Sequence, residues 1–421
     1  MVDPRNLFSH KQAIRSDNQK FFVGRKEVIE QILDALAVKG SSVALFGDGG
    51  IGKTSVAWQI LELLSGDNKL VKQLNLKPDF PIERFRCIWF QCSENMINLP
   101  NALARMMAQD NREYSFGKVV KESLKAAEVK SAARTYEINI GFFKHTNRFE
   151  DKESLGSIEI EQFESQVFNS FDQIIADLAR EDDREILIFI DEFDKLPNGA
   201  GMGKLIKDTN EARFFVLGTA DEVIRLMNDH TSAGRKLEGS KFRLDGMDDE
   251  EIFEIFDKAE NLSGQQVIFE KSFKSMVRDS VAGFPWLAQL IGYHAVRLRM
   301  REAVPISFTR KDFFAASDEL ARPGSDVDRY ERLHRAVSGS PRREAIVFAL
   351  SELDPGWISL ANLRKRLNSN QRKQLDSNLS TLERQKVINL DEDSKRVRFV
   401  DPVMRSLVSI TRSRGAVIPP A

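Results

Sequence analysis

Eight residues constrain this chain more than any others. Gly47-Asp48-Gly49-Gly50-Ile51-Gly52-Lys53-Thr54 satisfies the spacing G-x4-G-K-S/T. A loop that wraps a phosphate chain must turn its backbone N–H groups inward, and glycine permits both those dihedrals and the close approach. Such a loop leaves a strand and opens a helix whose N-terminal N–H groups and dipole favour an anion. Both neighbours are present: SSVALF (41–46) reads as a short buried strand, and SVAWQILELL after the loop has helical spacing. The pattern makes residues 47–52, with Ser55 at the helix start, a phosphate cradle. Lys53 then reaches the β/γ-phosphates and the Thr54 hydroxyl ligates Mg²⁺. The expected cofactors are ATP/ADP and Mg²⁺.

The rest of the pattern fits a core around such a loop. FRCIWFQC (85–92), ILIFI (186–190), FFVLGTA (214–220) and KFRLDGM (241–247) read as strands separated by helical segments, one of them about 162–179. Alternating strands and helices imply βαβ units, hence an α/β P-loop NTPase core with a parallel sheet and helices on both faces. From about 248 the strand signals stop. DDEEIFEIFDKAENL and residues 269–281, 285–300 and 311–320 read as an all-α lid, closed by the linker ARPGSDVD (321–328). REAIVFALSEL, WISLANLRKRL and QRKQLDSNLSTLERQ are then three helices, and KVINL and RVRFV flank the polar turn DEDSK. That is a winged-helix domain. The expected boundaries are a loosely ordered tail at 1–20, the core at 21–247, the lid at 248–322 and the winged helix at 323–421. Strand-like TYEINIGFF and SIEI mark a hairpin-like insertion at about 112–160.

Composition closes off other classes. Two cysteines and five scattered histidines among 421 residues give neither a disulfide framework nor a metal cluster. No apolar run approaches the ~18 residues a bilayer span needs, and the N-terminus lacks a secretory h-region. A cytoplasmic chain with no membrane partner is expected.

ILIFI ends in Asp191-Glu192. A carboxylate at the C-terminal tip of a neighbouring parallel strand lies where α/β sheets bind ligands. Asp191 is positioned to hold Mg²⁺ through water and Glu192 to polarise the attacking water. Asp194 either continues this acidic run or caps a helix. Thr219, at the end of FFVLGT, either contacts the γ-phosphate or the attacking water, or N-caps a helix near Asp221-Glu222.

Phe22-Val23-Gly24-Arg25, GDGGIGKT, ILIFIDEFD, VLGTA and Gly283-Phe284-Pro285 occur in that order ahead of the winged-helix pattern. Over about residues 20–410 the chain resembles the origin-recognition and STAND groups of AAA+-related ATPases. The resemblance implies that Val23, Gly24 and Arg25 line the adenine pocket and that Pro285 closes it from the lid. A helix start is an equally good reason for that proline. The resemblance also implies an arginine finger acting on a neighbouring subunit's ATP, for which Arg235 in HTSAGR is the candidate. Lys236, Arg225 and Arg243 are rivals, and a surface salt bridge is the alternative. The likeness therefore points to an ATP-hydrolysing switch working as a homo-oligomer or with a separate partner protein, with bacterial anti-phage defence as one setting. Two departures matter. No basic residue follows Gly283 until Arg297, which favours a STAND-like switch over a cycling motor, and no repeat array follows the winged helix. A DNA-clamping replication initiator or transposition-type ATPase, and a scaffold that barely hydrolyses, are the other readings.

The net charge of −1 seems to disfavour nucleic acid, but it is a cancellation. Residues 341–421 hold 15 Lys+Arg against 9 Asp+Glu, or +6, which leaves −7 on the first 340. Arg364, Lys365, Arg366, Arg372, Lys373, Arg384 and Lys386, with Lys395, Arg396 and Arg398 at the wing, form a candidate face for double-stranded DNA. Alternatively this is the solvated face of a domain that docks on the acidic core as an autoinhibitory lid.

Overall fold

The computed structural model describes residues 3–126, 157–181, 183–197, 201–219, 236–320, 328–353, 357–391 and 393–412. The chain divides into two compact units. One comprises Arg25–Gly47 and Lys53–Leu244; the other comprises Met1–Gly24, Asp48–Gly52 and Asp245–Ala421. Among the described residues no helix is long and apolar enough to cross a membrane.

The first unit is the α/β core. Its helices are α1 (Lys26–Ala37), α2 (Lys53–Leu64), α3 (Lys69–Leu74), α4 (Leu99–Ala108), α5 (Phe116–Ala126), α6 (Ser157–Glu181) and α7 (Met202–Asp208). Its strands are β1 (Val43–Phe46), β2 (Phe85–Gln91), β3 (Glu185–Asp191), β4 (Ala212–Gly218) and β5 (Lys241–Arg243), all parallel, in the order β2-β3-β4-β1-β5. The four strands β1 to β4 are short and mostly apolar on both faces because both faces are covered. Ile186, Ile188 and Ile190 point into one layer with α4 to α7. On the other face Phe189 stacks between Trp89 (5.8 Å) and Phe215 (4.8 Å), and Trp89 in turn stacks on Trp58 of α2 (4.4 Å).

The order corrects one expectation. β3 is not the neighbour of β1, because β4 lies between them. The chain leaves β1 outward to the edge at β2, returns through β3 and β4, and only then crosses to β5. The crevice at the C-terminal end of β1 is thus a topological switch point, where open α/β sheets bind ligands.

The hairpin-like insertion is also revised. Residues 116–126 are helical, and SIEI opens α6 instead of forming a strand. Its four-residue alternation belongs to a longer helical period that continues through Phe163, Val167, Phe171, Ile174 and Leu178. TYEINIGFF lies outside the described residues.

The second unit begins with the lid: α8 (Asp249–Leu262), β6 (Val267–Phe269), α9 (Lys271–Val281), α10 (Pro285–Arg299), β7 (Ile306–Phe308) and α11 (Arg310–Leu320). A capping box starts α8, with Asp248 accepting from the Glu251 N–H at 2.8 Å and Glu251 accepting from the Asp248 N–H at 3.2 Å. The helical lid carries one addition, the parallel pair β6–β7, whose three-residue strands are too short to give a sequence signal. Phe256, Phe269, Phe273 and Phe308 pack as its aromatic centre.

The N-terminal segment is packed, not loosely ordered as expected. Phe8 lies edge-on to Phe269 (6.0 Å), the Ser9 N–H donates to Gln289 Oε1 (2.6 Å), and Trp286 Nε1 donates to the His10 carbonyl (2.8 Å). Its anchors are single residues in a polar stretch, which is why no periodicity announced them.

The C-terminal part follows with α12 (Asp328–Val337), α13 (Pro341–Ser351), β8 (Ile358–Ser359), α14 (Leu360–Arg366), α15 (Leu375–Arg384), β9 (Ile388–Asp391), β10 (Arg396–Phe399) and α16 (Pro402–Arg412). β8, β10 and β9 form an antiparallel sheet in that order, so three helices and a wing give the winged-helix fold.

Candidate functional site

The phosphate loop runs from the end of β1 into α2. Gly50 (φ 80°) and Gly52 (φ 105°) hold the left-handed backbone that side chains resist. A Cβ added at Gly49 or Gly50 would meet nothing within 4 Å, so both positions border open space. Lys53, the first residue of α2, donates from Nζ to the Gly47 carbonyl at 2.8 Å.

Thr54, in the first turn of α2, meets Asp191 at the end of β3. The Thr54 hydroxyl donates to Asp191 Oδ2 at 3.1 Å, with Oδ1 at 3.3 Å, and the Glu192 N–H donates to Asp191 Oδ1 at 2.8 Å. Asp191 is 3% exposed, and this burial pushes its carboxyl up to about 6 against the hydrogen bonds that favour the ionised form. A buried carboxylate beside a hydroxyl is a hard-oxygen donor pair of the kind that suits Mg²⁺. The described residues contain no group of three or more Asp, Glu, His or Cys that could hold an ion. A Mg²⁺ here would therefore take its remaining ligands from phosphate and water, its usual habit.

Glu192 is turned to other partners. It occupies a left-handed conformation (φ 54°), and its Oε2 accepts from Gln91 Nε2 and from Lys195 Nζ, each at 2.8 Å. Gln91 is the β2 residue directly in register with Asp191, and Lys195 closes the short turn after Glu192. Both partners escaped the sequence reading. Their signals were faint: Gln91 is one polar side chain ending an apolar strand, and Lys195 one basic residue three positions after an acid.

The remaining expected residues are placed as follows. Thr219 comes straight off β4, half-buried, and the register pairing Gly218 with Phe46 sets it level with Gly47. Within the second unit, Val23 is buried, and Gly24 (φ 64°) is pressed on α8 so closely that a Cβ would overlap Glu251. Pro285 is the first residue of α10, and its Cγ lies 3.8 Å from where a Gly52 Cβ would be. In the core, Arg25 is buried with φ 65° and its carbonyl receives the first helical N–H of α1, from Ile29. Ser55 lies in the first turn of α2. Arg235 lies outside the described residues. Two rivals can be placed: Lys236 donates to the Thr209 carbonyl at 2.8 Å, and Arg243 ends β5.

In the winged helix, Arg364, Arg372 and Arg396 are already engaged. Arg364 pairs with Asp376 (3.4 Å), and Arg396 pairs with Asp391 (2.8 Å), holding that carboxyl down to about 2. Arg372 Nε donates to the carbonyls of Arg364 (2.9 Å) and Leu367 (2.8 Å), capping the end of α14. Lys365, Lys373 and Lys395 are exposed and make no ion pair with described residues.

No protein-family model and no curated protein matches the chain. Solved structures do. The chain is similar to the Walker-type ATPase PABY2304 of Pyrococcus abyssi at 15% identity, over 96% of this chain and 99% of that one, with a TM-score of 0.49. It is similar to the ORC2 protein of Aeropyrum pernix in its ADPNP–ADP complexes at 14% identity, over 98% and 99%, TM-score 0.46. The RuvB Holliday junction branch migration motor of Thermotoga maritima follows at 12% identity, over 98% and 100%, TM-score 0.40.

Proposed function

We propose that this chain is an ATP-binding, Mg²⁺-dependent ATPase that acts as a nucleotide-controlled switch. One observation carries the reading: at the start of α2 the Thr54 hydroxyl sits on the buried Asp191 carboxylate and Lys53 Nζ on the Gly47 carbonyl. When bound, Mg²⁺ would supply positive charge that offsets the charge developing on the leaving group. Gly49–Gly52 would hold the phosphates, Lys53 would pair with them, and Thr54 and Asp191 would hold the ion.

Glu192 is the candidate to orient and deprotonate the attacking water. Its carboxylate is already shared by Gln91 and Lys195. Its Oε2 must part from these donors before it can turn toward a water on a bound nucleotide. That supports a resting form of a switch more than a continuously cycling motor. Nucleotide binding and turnover, followed separately, test the reading. Lys53→Ala should lose ATP affinity by a hundredfold or more, on the order of 3 kcal/mol of charge-assisted contact. Glu192→Gln should bind ATP normally and turn it over at least about a hundredfold more slowly. Unchanged turnover would overturn the assignment of Glu192, and wild-type binding without turnover would favour a scaffold.

A second reading, that the output is duplex DNA, has its own support in Lys365, Lys373 and Lys395, which make no ion pair with described residues. Gel shifts across a salt series test it, since phosphate contacts give a steep slope.

A further inference from the structure

A cavity of about 740 Å³ opens inside the core unit on the side of Glu192 that carries Lys195. The end of β2, the last turns of α4, the loop at 109–112 and the turn after β3 border it, and it opens to solvent. That volume is what a small molecule of metabolite size occupies.

Its charges do not balance within the protein. Arg105 and Arg112 line it, and neither has an acidic partner among the described residues. Arg105 Nε is buried and makes no hydrogen bond. A buried unmade donor is costly, so it is expected to find a partner. The amides of Gln109 and Asn111 line the same wall without side-chain partners among the described residues. The acids on the wall are spent: Asp110 binds Lys121 at 2.7 Å, and Glu192 binds Gln91 and Lys195. What faces the cavity is therefore an excess of cationic and neutral donors.

The wall is built before any ligand arrives. The Trp89 N–H at the sheet's edge donates to the Tyr114 carbonyl (2.8 Å), Gly117 N–H to Gln109 (2.8 Å), and Ser115 Oγ to Arg112 (2.7 Å), which fixes the backbone carrying these side chains. Phe90, Cys92 and Met96 supply the apolar part.

We propose that this cavity binds a small molecule bearing carboxylate or phosphate groups, gripped by Arg105 and Arg112. Two guanidinium forks suit either oxyanion bidentately. Such a ligand competes with Glu192 for the Lys195 ammonium, so its arrival loosens Glu192 from one of its two donors. This coupling rests on the role proposed for Glu192; the binding site does not.

Succinate and inorganic phosphate separate the two chemistries. Each is titrated calorimetrically into full-length wild-type, Arg105→Gln, Arg112→Gln and Arg105→Gln/Arg112→Gln protein saturated with ADP. The expected result is binding of at least one probe, weakened about tenfold by each single change, in line with one lost charge-assisted hydrogen bond. Arg112 is exposed, so its variant keeps the test valid even if Arg105→Gln disturbs folding. Binding of neither probe, binding untouched by the double variant, or an adventitious ion only, overturns the site. ATP turnover should rise with the bound probe in wild type and not in the double variant, whose basal rate is unchanged. A probe that binds through the arginines while turnover stays flat overturns the coupling and leaves the site. Unchanged turnover in Glu192→Gln overturns the role of Glu192 without touching the binding result.

Discussion

Asp191 illustrates what the site costs at the level of one residue. Its carboxyl is almost wholly buried, and its affinity for a proton rises from 3.8 to about 6. A folded-state value above the unfolded one means that the folded chain holds the proton more tightly. The ionised carboxylate thus destabilises the empty protein fully above pH 6, and the penalty fades as pH falls toward 4. Two units correspond to about 3 kcal/mol at about 1.4 kcal/mol per unit, an upper bound because an amide in its place also needs partners. Asp191→Asn should therefore melt higher than wild type at pH 7.5 in nucleotide-free, Mg²⁺-free buffer, by about 1–2 kcal/mol, with the advantage shrinking at pH 5. The same variant should lose the Mg²⁺-dependent part of its nucleotide affinity. An Asp191→Asn protein that melted no higher than wild type at pH 7.5 would contradict the burial argument. Glu192, the next residue, shows the converse economy: exposed donors on both sides hold it in a left-handed turn.

At the level of elements, legibility tracked how many residues a signal is spread over. The glycine loop, the apolar strands 43–46, 85–91, 185–191 and 212–218, and helices such as α8 and α10 each repeat their pattern across several residues. The order of the strands was not readable, since β4 between β1 and β3 depends on crossover paths and not on any local pattern. Thr54 and Asp191 were legible because motif and strand end each locate one of them. Gln91, Lys195 and the aromatic anchors of the N-terminal segment were not, each being a lone side chain whose role exists only through tertiary contact. Gly292 on α10 is the clearest case. A Cβ there would lie 2.5 Å from the Phe8 ring and 3.1 Å from Phe256, so this glycine is the seat of Phe8. Gly292→Ala should overpack the contact at about 1–3 kcal/mol. It should make residues 3–24 cleavable by protease at concentrations that spare wild type. Phe8→Ala in the same chain restores the room, so the double variant should lose less than the sum of the singles. Additive losses would mean that the two residues do not share one contact.

Across the whole molecule the charge is divided, −7 on the first 340 residues and +6 on the last 81. The excess is not one uniform basic face. Arg364 and Arg396 are balanced by Asp376 and Asp391, and Arg372 is committed to the carbonyls that end α14. Only charges free of such partners release counterions when a duplex binds, because an arginine that must first leave an aspartate gives back what it gains. If this domain holds DNA, the exposed Lys365, Arg366, Lys373, Arg384, Lys386 and Lys395, which form no ion pair with described residues, must therefore carry most of the salt dependence. Replacing Lys365, Lys373 and Lys395 with alanine should lower the slope of log affinity against log salt by about 3, close to 0.9 per contact. The melting temperature should barely move, since all three are exposed. Arg372→Ala should do the reverse, lowering the melting temperature through two lost caps while the slope changes by less than about 1. Equal loss of slope in Arg372→Ala would mean that its guanidinium leaves α14 to meet phosphate. No slope in wild type would remove DNA as the output and leave a protein partner as the target of the switch.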